Sequence, residues 1–352
     1  MAEKLCSESL ARPILLTNEP SSIIINHMKS LVKTFALLAL VALSASFFSC
    51  KSMIANKLGD AASGSDKKGA AIPKKADAPD MMMAFMGEKD PKIIAEVLPM
   101  IVKMYEILAL QNPSHQGLQI MAGQLNVMYG NLCVQTPAES LPITELEKQV
   151  AEFNRAKYHY LRGRQYILDV FESRWPGFEK AFLSSDTEAV KAAVSNITKD
   201  DVNAAYWAGG ASLISWSLDP LDVDALSSIQ GPVALLEKAA NLDPNYSKGA
   251  IWDALCQFYT AAPIDFGGDY ERGLECYEKA LKASGGKAPG IYITYAQSVC
   301  KPSGDRDGFI ENLNKALSIN PDDDPSSRLM CVLNQQKAQY LLDHVDDYFV
   351  VW

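Results

Sequence analysis

The residues predict an all-α chain: an irregular helical-hairpin array, or α-solenoid, of about ten to twelve helices. Three observations carry that expectation. Apolar residues recur at three- and four-residue steps through most of the chain, the period of one helix face. Breaks rich in Gly, Pro and Asp ("ESLP", "RWPGF", "LDPNY", "FGGDY", "SGGKAPG", "NPDDDP") part those runs, with no strand-like alternation of useful length between them. A helix-sized unit also recurs three times in the second half.

Ahead of the body, "MKSLVKTFALLALVALSASFFSC" (28–50) joins a short basic region, an apolar run and small residues, the order of an export signal. A membrane-spanning helix needs about 20 apolar residues, so the run is short for a span. Its end resembles a bacterial lipobox, which makes Cys50 the lipid-bearing first residue of the mature protein. An uncleaved anchor is the alternative. Residues 1–27 fit no such pattern and read as upstream of a start at Met28, leaving 28–49 as a lipoprotein signal peptide. From Cys50 onward there are 29 Lys and Arg against 39 Asp and Glu, a net charge of −10. An acidic body without a basic patch argues against nucleic acid as a partner.

Residues 50–83 are expected to be the lipidated Cys and a flexible tether, being rich in Ala, Gly, Ser, Lys and Asp. "MMMAFM" (81–86) is expected to begin the fold by packing on the first helix. The helical domain then spans 84–352. Ile93, Ile94, Val97, Leu98, Ile101, Val102, Tyr105 and Leu108 mark its first long helix, which Pro113 ends and after which Ser114 can cap the next. Cys133, Cys256, Cys276, Cys300 and Cys331 lie in apolar helical patterns and read as small core residues, since an odd set without C-x-x-C makes no complete disulfide framework.

Three segments align without gaps: "PVALLEKAANLDP" from Pro232, "GLECYEKALKASG" from Gly273 and "FIENLNKALSINP" from Phe309. Each sets a bulky residue (Leu236, Tyr277, Leu313) three places before an Ala (Ala239, Ala280, Ala316). This resembles the second helix of a tetratricopeptide repeat, where a small residue lets one helix nest against the next. Trp207, Gly210, Ala211 and Ile214, and again Leu255, Cys256 and Tyr259, resemble the first helix. The unit spacings of 41 and 36 depart from the ideal of about 34, with loops absorbing the excess.

The ordered run "LALQNPSHQGLQIMAGQLNVMYGNLCVQ", "KYHYLRGRQYILDVFESRWPGF", "AAYWAGGASL", "LLEKAANLDPNYSKGAIWDAL", "FGGDYERGLECYEKAL" and "AQYLLDHVDDYF" resembles the TatT family across about residues 84–350. These are periplasmic tetratricopeptide-like lipoproteins that accompany TRAP transporters, which are tripartite and driven by ion gradients instead of ATP. The resemblance implies a lipid-anchored protein, on the inner or outer membrane of a diderm bacterium, that docks a periplasmic substrate-binding protein. It also implies a homotrimer with an internal pore or cleft for an apolar or organic-acid ligand. A cell-envelope assembly adaptor with no ligand role is the alternative.

No catalytic set assembles from sequence neighbours, and the chain reads as a non-enzyme without cofactor or metal. His115, His159 and His344 form no H-x-x-x-H pair, and the Asp343, His344, Asp347 and "PDDDP" clusters are common on solvated helices and turns. "SGGKAPG" lacks the Ser or Thr that a phosphate loop carries after its Lys. The stronger lead is aromatic. A helical-hairpin solenoid lines its concave side with first helices, so Tyr206, Trp207, Tyr259 and Tyr292, with Asn126 and Tyr129 from an early hairpin, are the candidates for a ligand cavity; filling the core is their other role.

Overall fold

Asp90 starts the first long helix by accepting from the Lys92 N–H at 2.9 Å, with Pro91 at the first helical position where no N–H is needed. The computed structural model describes residues 53–69 and 83–349, with side chains from Asn56. Cys50, the signal segment 28–49 and residues 1–27 lie outside the described residues. Twelve helices of seven or more residues are present among the described residues, and no strand. The array is all-α, and its hairpins are compatible with tetratricopeptide-like repeats.

Helix α1 is Met53–Ser63, and α2 is Pro91–Gln111. Helix α3 (Gln116–Tyr129) widens into a π-helical stretch, Gly130–Gln135, and ends at Thr136–Glu139. Its cap is His115, one residue later than the Ser114 expected: Nδ1 of the fully buried ring accepts from the Leu118 N–H at 3.2 Å. Helix α4 (Leu146–Arg174, 29 residues) runs about 43 Å at 1.5 Å per residue, long enough to serve as a spine. It packs on α3 and on α6 (Val202–Leu218), with α5 (Thr187–Ser195) to the side. Helices α7 (Gln230–Leu242), α8 (Ala250–Ala261) and α9 (Tyr270–Ser284) continue the array. Helix α10 (Pro289–Tyr295) also widens into a π-helical stretch, Ala296–Cys300, before α11 (Arg306–Ser318) and α12 (Arg328–Asp343).

The α3–α4 crossing is close enough to exclude a side chain. A Cβ at Gly123 would lie 2.7 Å from the Gly163 carbonyl oxygen, and one at Gly163 would lie 2.6 Å from that of Gly123. The repeat pattern maps onto the core as the alignment requires. Leu236, Ala239, Ala280, Leu313 and Ala316 have no exposed surface, and Tyr277 is buried. Four of the five cysteines are buried and Cys133 is half-buried; all five are free.

Two arrangements differ from expectation. First, the chain from Gly59 to Gly69, assigned by composition to a tether, lies docked on the body. His115 Nε2 donates to Asp60 Oδ1 at 3.0 Å, the Tyr105 hydroxyl donates to the Ala62 carbonyl, and the Gln116 N–H donates to the Lys67 carbonyl at 2.9 Å. The Arg174 guanidinium donates to the Lys68 carbonyl. Small residues permit this fit: a Cβ on Gly59 would stand 2.6 Å from the His115 ring. Second, Met83–Met86 packs beside α12 and the Pro325–Ser327 turn instead of the first helix.

That second arrangement belongs to a closure. The end of the array returns to its beginning, where Arg328 donates to the Gly87 carbonyl at 2.9 Å and Lys89 pairs with Asp322 at 2.9 Å. Helix α12 also reaches α2. This return brings the first hairpin and the last helix of the array to the two sides of a concave face.

Candidate functional site

A partly open cavity of about 560 Å³ lies where α2, the end of α3, the start of α4, α10 and α12 converge. Its apolar wall includes Ile94, Leu132, Phe153, Leu333 and Leu341, and its polar groups include Gln149, Gln297 and Gln336. Both π-helical stretches face it, α3 supplying Leu132 and α10 supplying Gln297. A π turn carries an extra residue per turn, which shifts the register of the side chains that follow, and such turns recur at functional sites. Here the shift precedes Thr136, Pro137 and Glu139 on α3, and Lys301 on α10, all of which line the cavity.

Charge enters the wall from opposite ends of the chain. Lys337 Nζ on α12 pairs with Glu139 Oε2 at 2.9 Å, each side chain about one-third exposed (31% and 30%). Lys301 Nζ sits 4.5 Å from the centroid of the Tyr348 ring, which also lines the space. With Lys92 at the rim, three ammonium groups face one carboxylate. An apolar wall with surplus positive charge suits a ligand with an apolar body and an acidic head.

Asp253 on α8 is half-buried, and loss of water raises its carboxyl to about 6. Gln257 Nε2 donates to its Oδ2 at 3.1 Å and lies 3.2 Å from Thr294 Oγ1, which also hydrogen-bonds the carboxyl. Hydrogen bonds from Thr294 and Gln257 draw that carboxyl pKa back down, and the charge on Lys337 in the cavity wall adds a smaller pull in the same direction.

The six sequence candidates are placed elsewhere. None is among the residues lining the 560 Å³ cavity. Tyr206 packs edge-to-face on Trp207 with centroids 5.3 Å apart, its phenol raised to about 12 by desolvation and then by the Asp253 charge. Tyr259 is buried, donates to Glu237 and carries the Arg272 guanidinium over its ring at 4.5 Å. Tyr292 donates to the Gly286 carbonyl at 3.3 Å. Asn126 is fully buried and donates to Glu106 Oε1 at 2.9 Å. Tyr129 meets the His159 ring edge-to-face at 4.7 Å and accepts from Arg155. The α2–α4 link beside these last two is the pair Arg162–Glu106 at 2.7 Å. The cavity residues were missed because their signal lies in pairing across 198 positions of sequence, as between Glu139 and Lys337, which no local spacing reveals.

Among the described residues, no group of three or more His, Cys, Asp or Glu gathers as metal ligands would, and no helix is long and apolar enough to cross a membrane. His344 Nδ1 lies 2.8 Å from the Tyr340 carbonyl, and Asp343 accepts from Gln339 at 2.7 Å.

Comparison with known proteins adds two findings. An uncharacterized protein from Treponema pallidum (strain Nichols) is 38% identical over 271 residues, covering 77% of this chain and 84% of that protein. The model of the TRAP transporter T-component family matches residues 87–349, which hold α2 to α12. The chain therefore belongs to the TRAP transporter T-component family.

Proposed function

We propose that this protein is the lipid-anchored periplasmic component of a TRAP-type, ATP-independent transport system. It docks the substrate-binding protein, and it takes an organic acid with an apolar body into the cavity between the first hairpin and α12. Cys50 carries the anchor, on the inner or outer membrane of a diderm cell. The observation that carries the ligand reading is the Lys337–Glu139 pair on an otherwise mostly apolar wall. The test is capture from detergent-solubilised envelope of the mature chain, together with uptake by the cognate transporter. The parent captures the substrate-binding protein. Lys337→Glu, which sets two carboxylates against each other, keeps that capture and lowers uptake about tenfold, the scale of 1.4 kcal/mol. Failure to capture the binding protein sinks the reading. Capture with unchanged uptake favours the assembly adaptor with no ligand role.

Self-association, as a homotrimer, rests on a separate feature. Helix α2 buries Ile94, Leu98 and Val102 but exposes a second apolar stripe, in which Met100 is 74%, Ile107 55% and Leu110 81% exposed. Together with Val97 and Met104 the stripe steps by three and four along the helix, the spacing of a helix–helix seam. The double variant Met100→Lys with Leu110→Lys is expected to sediment as a monomer while the parent sediments as an oligomer. Equal sedimentation would remove α2 from the assembly interface.

A further inference from the structure

Helix α4 carries a second chemistry farther along its length. Lys157, Leu161 and Arg164, at helical spacing, line a cavity of about 430 Å³ closed by Phe182 and Leu183, by Ser212 and Ser215 of α6, and by Ile229 and Pro232. Its two cations are in different states. Lys157 is fully compensated, with Asp219 at 2.7 Å and Asp222 at 2.6 Å. Arg164 is half-buried, makes no hydrogen bond or ion pair with any described residue, and has its Nε sealed from solvent without a partner.

A guanidinium in this position carries an uncompensated cost. Desolvation lowers its pKa, and the one opposing influence is the more remote charge of Glu179. Glu179 itself is taken up by Gln165, which donates to it at 2.8 Å. The same cavity holds a second orphan. Ser215 is 2% exposed and its hydroxyl has no partner, although Ser212 beside it donates to the Ala208 carbonyl at 2.9 Å. Buried polar groups are almost always paired, and a partly desolvated guanidinium left without an anion is a costly exception. Two orphans lining one cavity, from α4 and α6, are what a missing acceptor leaves behind.

We propose that this cavity is an anion subsite that takes a small carboxylate, with Arg164 pairing its head, Ser215 donating to it, and Phe182, Leu183 and Pro232 covering its apolar body. The planar fork of a guanidinium matches a carboxylate bidentately. The apolar closure selects against a fully hydrated inorganic anion. Asp222 and Asp224, which also line the cavity, leave room for one negative charge: Asp222 is spent on Lys157, and Asp224 is exposed at the rim. The subsite is distinct from the cavity assigned to transport, and its binding assay needs no transporter partner.

The test uses the full mature chain with benzoate, hexanoate and inorganic phosphate as probes, followed by calorimetric titration and thermal unfolding. Benzoate or hexanoate is expected to bind and to raise the unfolding temperature. Arg164→Met is expected to weaken that binding at least tenfold (on the order of 1.4 kcal/mol) and to be more stable than the parent without ligand, since it removes an unpaired, partly desolvated charge. A structural arginine would give the opposite sign of stability. Arg164→Lys, which keeps charge but loses the fork, is expected to fall between the two in affinity. The proposal is overturned if neither carboxylate binds, if Arg164→Met binds benzoate as the parent does, or if phosphate binds as tightly as the carboxylates.

Discussion

Gly163→Leu is expected to cost about 3 kcal/mol of stability, the upper part of the range for overpacking a core. The usual relief, a rotamer change in a neighbouring side chain, is closed here. The atom nearest the new Cβ is the Gly123 carbonyl oxygen at 2.6 Å, which belongs to backbone, with Val127 Cγ2 at 2.7 Å beside it. Helices α3 and α4 would have to part along their length, and α4 is also the support of α6. The same displacement would carry Glu139 at the end of α3 away from Lys337. Urea unfolding measures the loss as a lower midpoint at unchanged slope. A loss below about 1 kcal/mol would mean that the helices do not meet at their backbones.

Asp253→Asn is expected to act in the other direction and only above a threshold pH. The Asp253 carboxyl ordinarily ionises near 3.8, and in the fold it is raised to about 6. The folded state therefore holds the proton more tightly than the unfolded chain, so stability falls as pH rises between about 4 and 6 and stays lower above. Ionising a carboxyl held that far above its ordinary value costs the fold about 2–3 kcal/mol. The amide carries no charge to desolvate and can still accept from Gln257, so the variant should be more stable than the parent by that amount at pH 7 and equal to it near pH 4. Parallel stability curves for the two proteins over this range would show that Asp253 is not held away from water.

The local layer of this structure was legible in the residues, and the closure was not. Leu236, Ala239, Ala280, Leu313 and Ala316 announced their burial by spacing alone, because nesting one helix on another requires a small residue at a fixed offset. On α2, eight apolar residues at helical spacing were read as one face. The structure divides them: Ile94, Leu98 and Val102 are buried, Ile101, Tyr105 and Leu108 are half-buried, and Ile93 and Val97 are exposed. Periodicity identifies an apolar stripe but does not state what covers it. The aromatic candidates failed to mark the 560 Å³ cavity for a related reason. Rings on first helices fill volume between neighbouring hairpins, as Tyr259 does, whereas the cavity depends on the summed curvature of the array, which brings residues 91 and 348 to one wall. The cap at His115 was missed because its geometry is set by a hydrogen bond to Asp60, far back in the chain.

That same hydrogen bond fixes a length. If the lipid is at Cys50 and the chain were free up to residue 84, 34 residues of leash would allow the body to range about 110 Å from the bilayer at full extension. With Gly59 already seated against His115 and the chain helical from Met53, the reach falls to about 20 Å, which is less than the length of α4. A shorter leash confines the body to a thinner shell above the membrane and raises its effective concentration for any membrane-embedded partner. On the proposed anchoring at Cys50, the clasp at residues 59–69 sets how far the protein can search, independently of how tightly it binds what it finds.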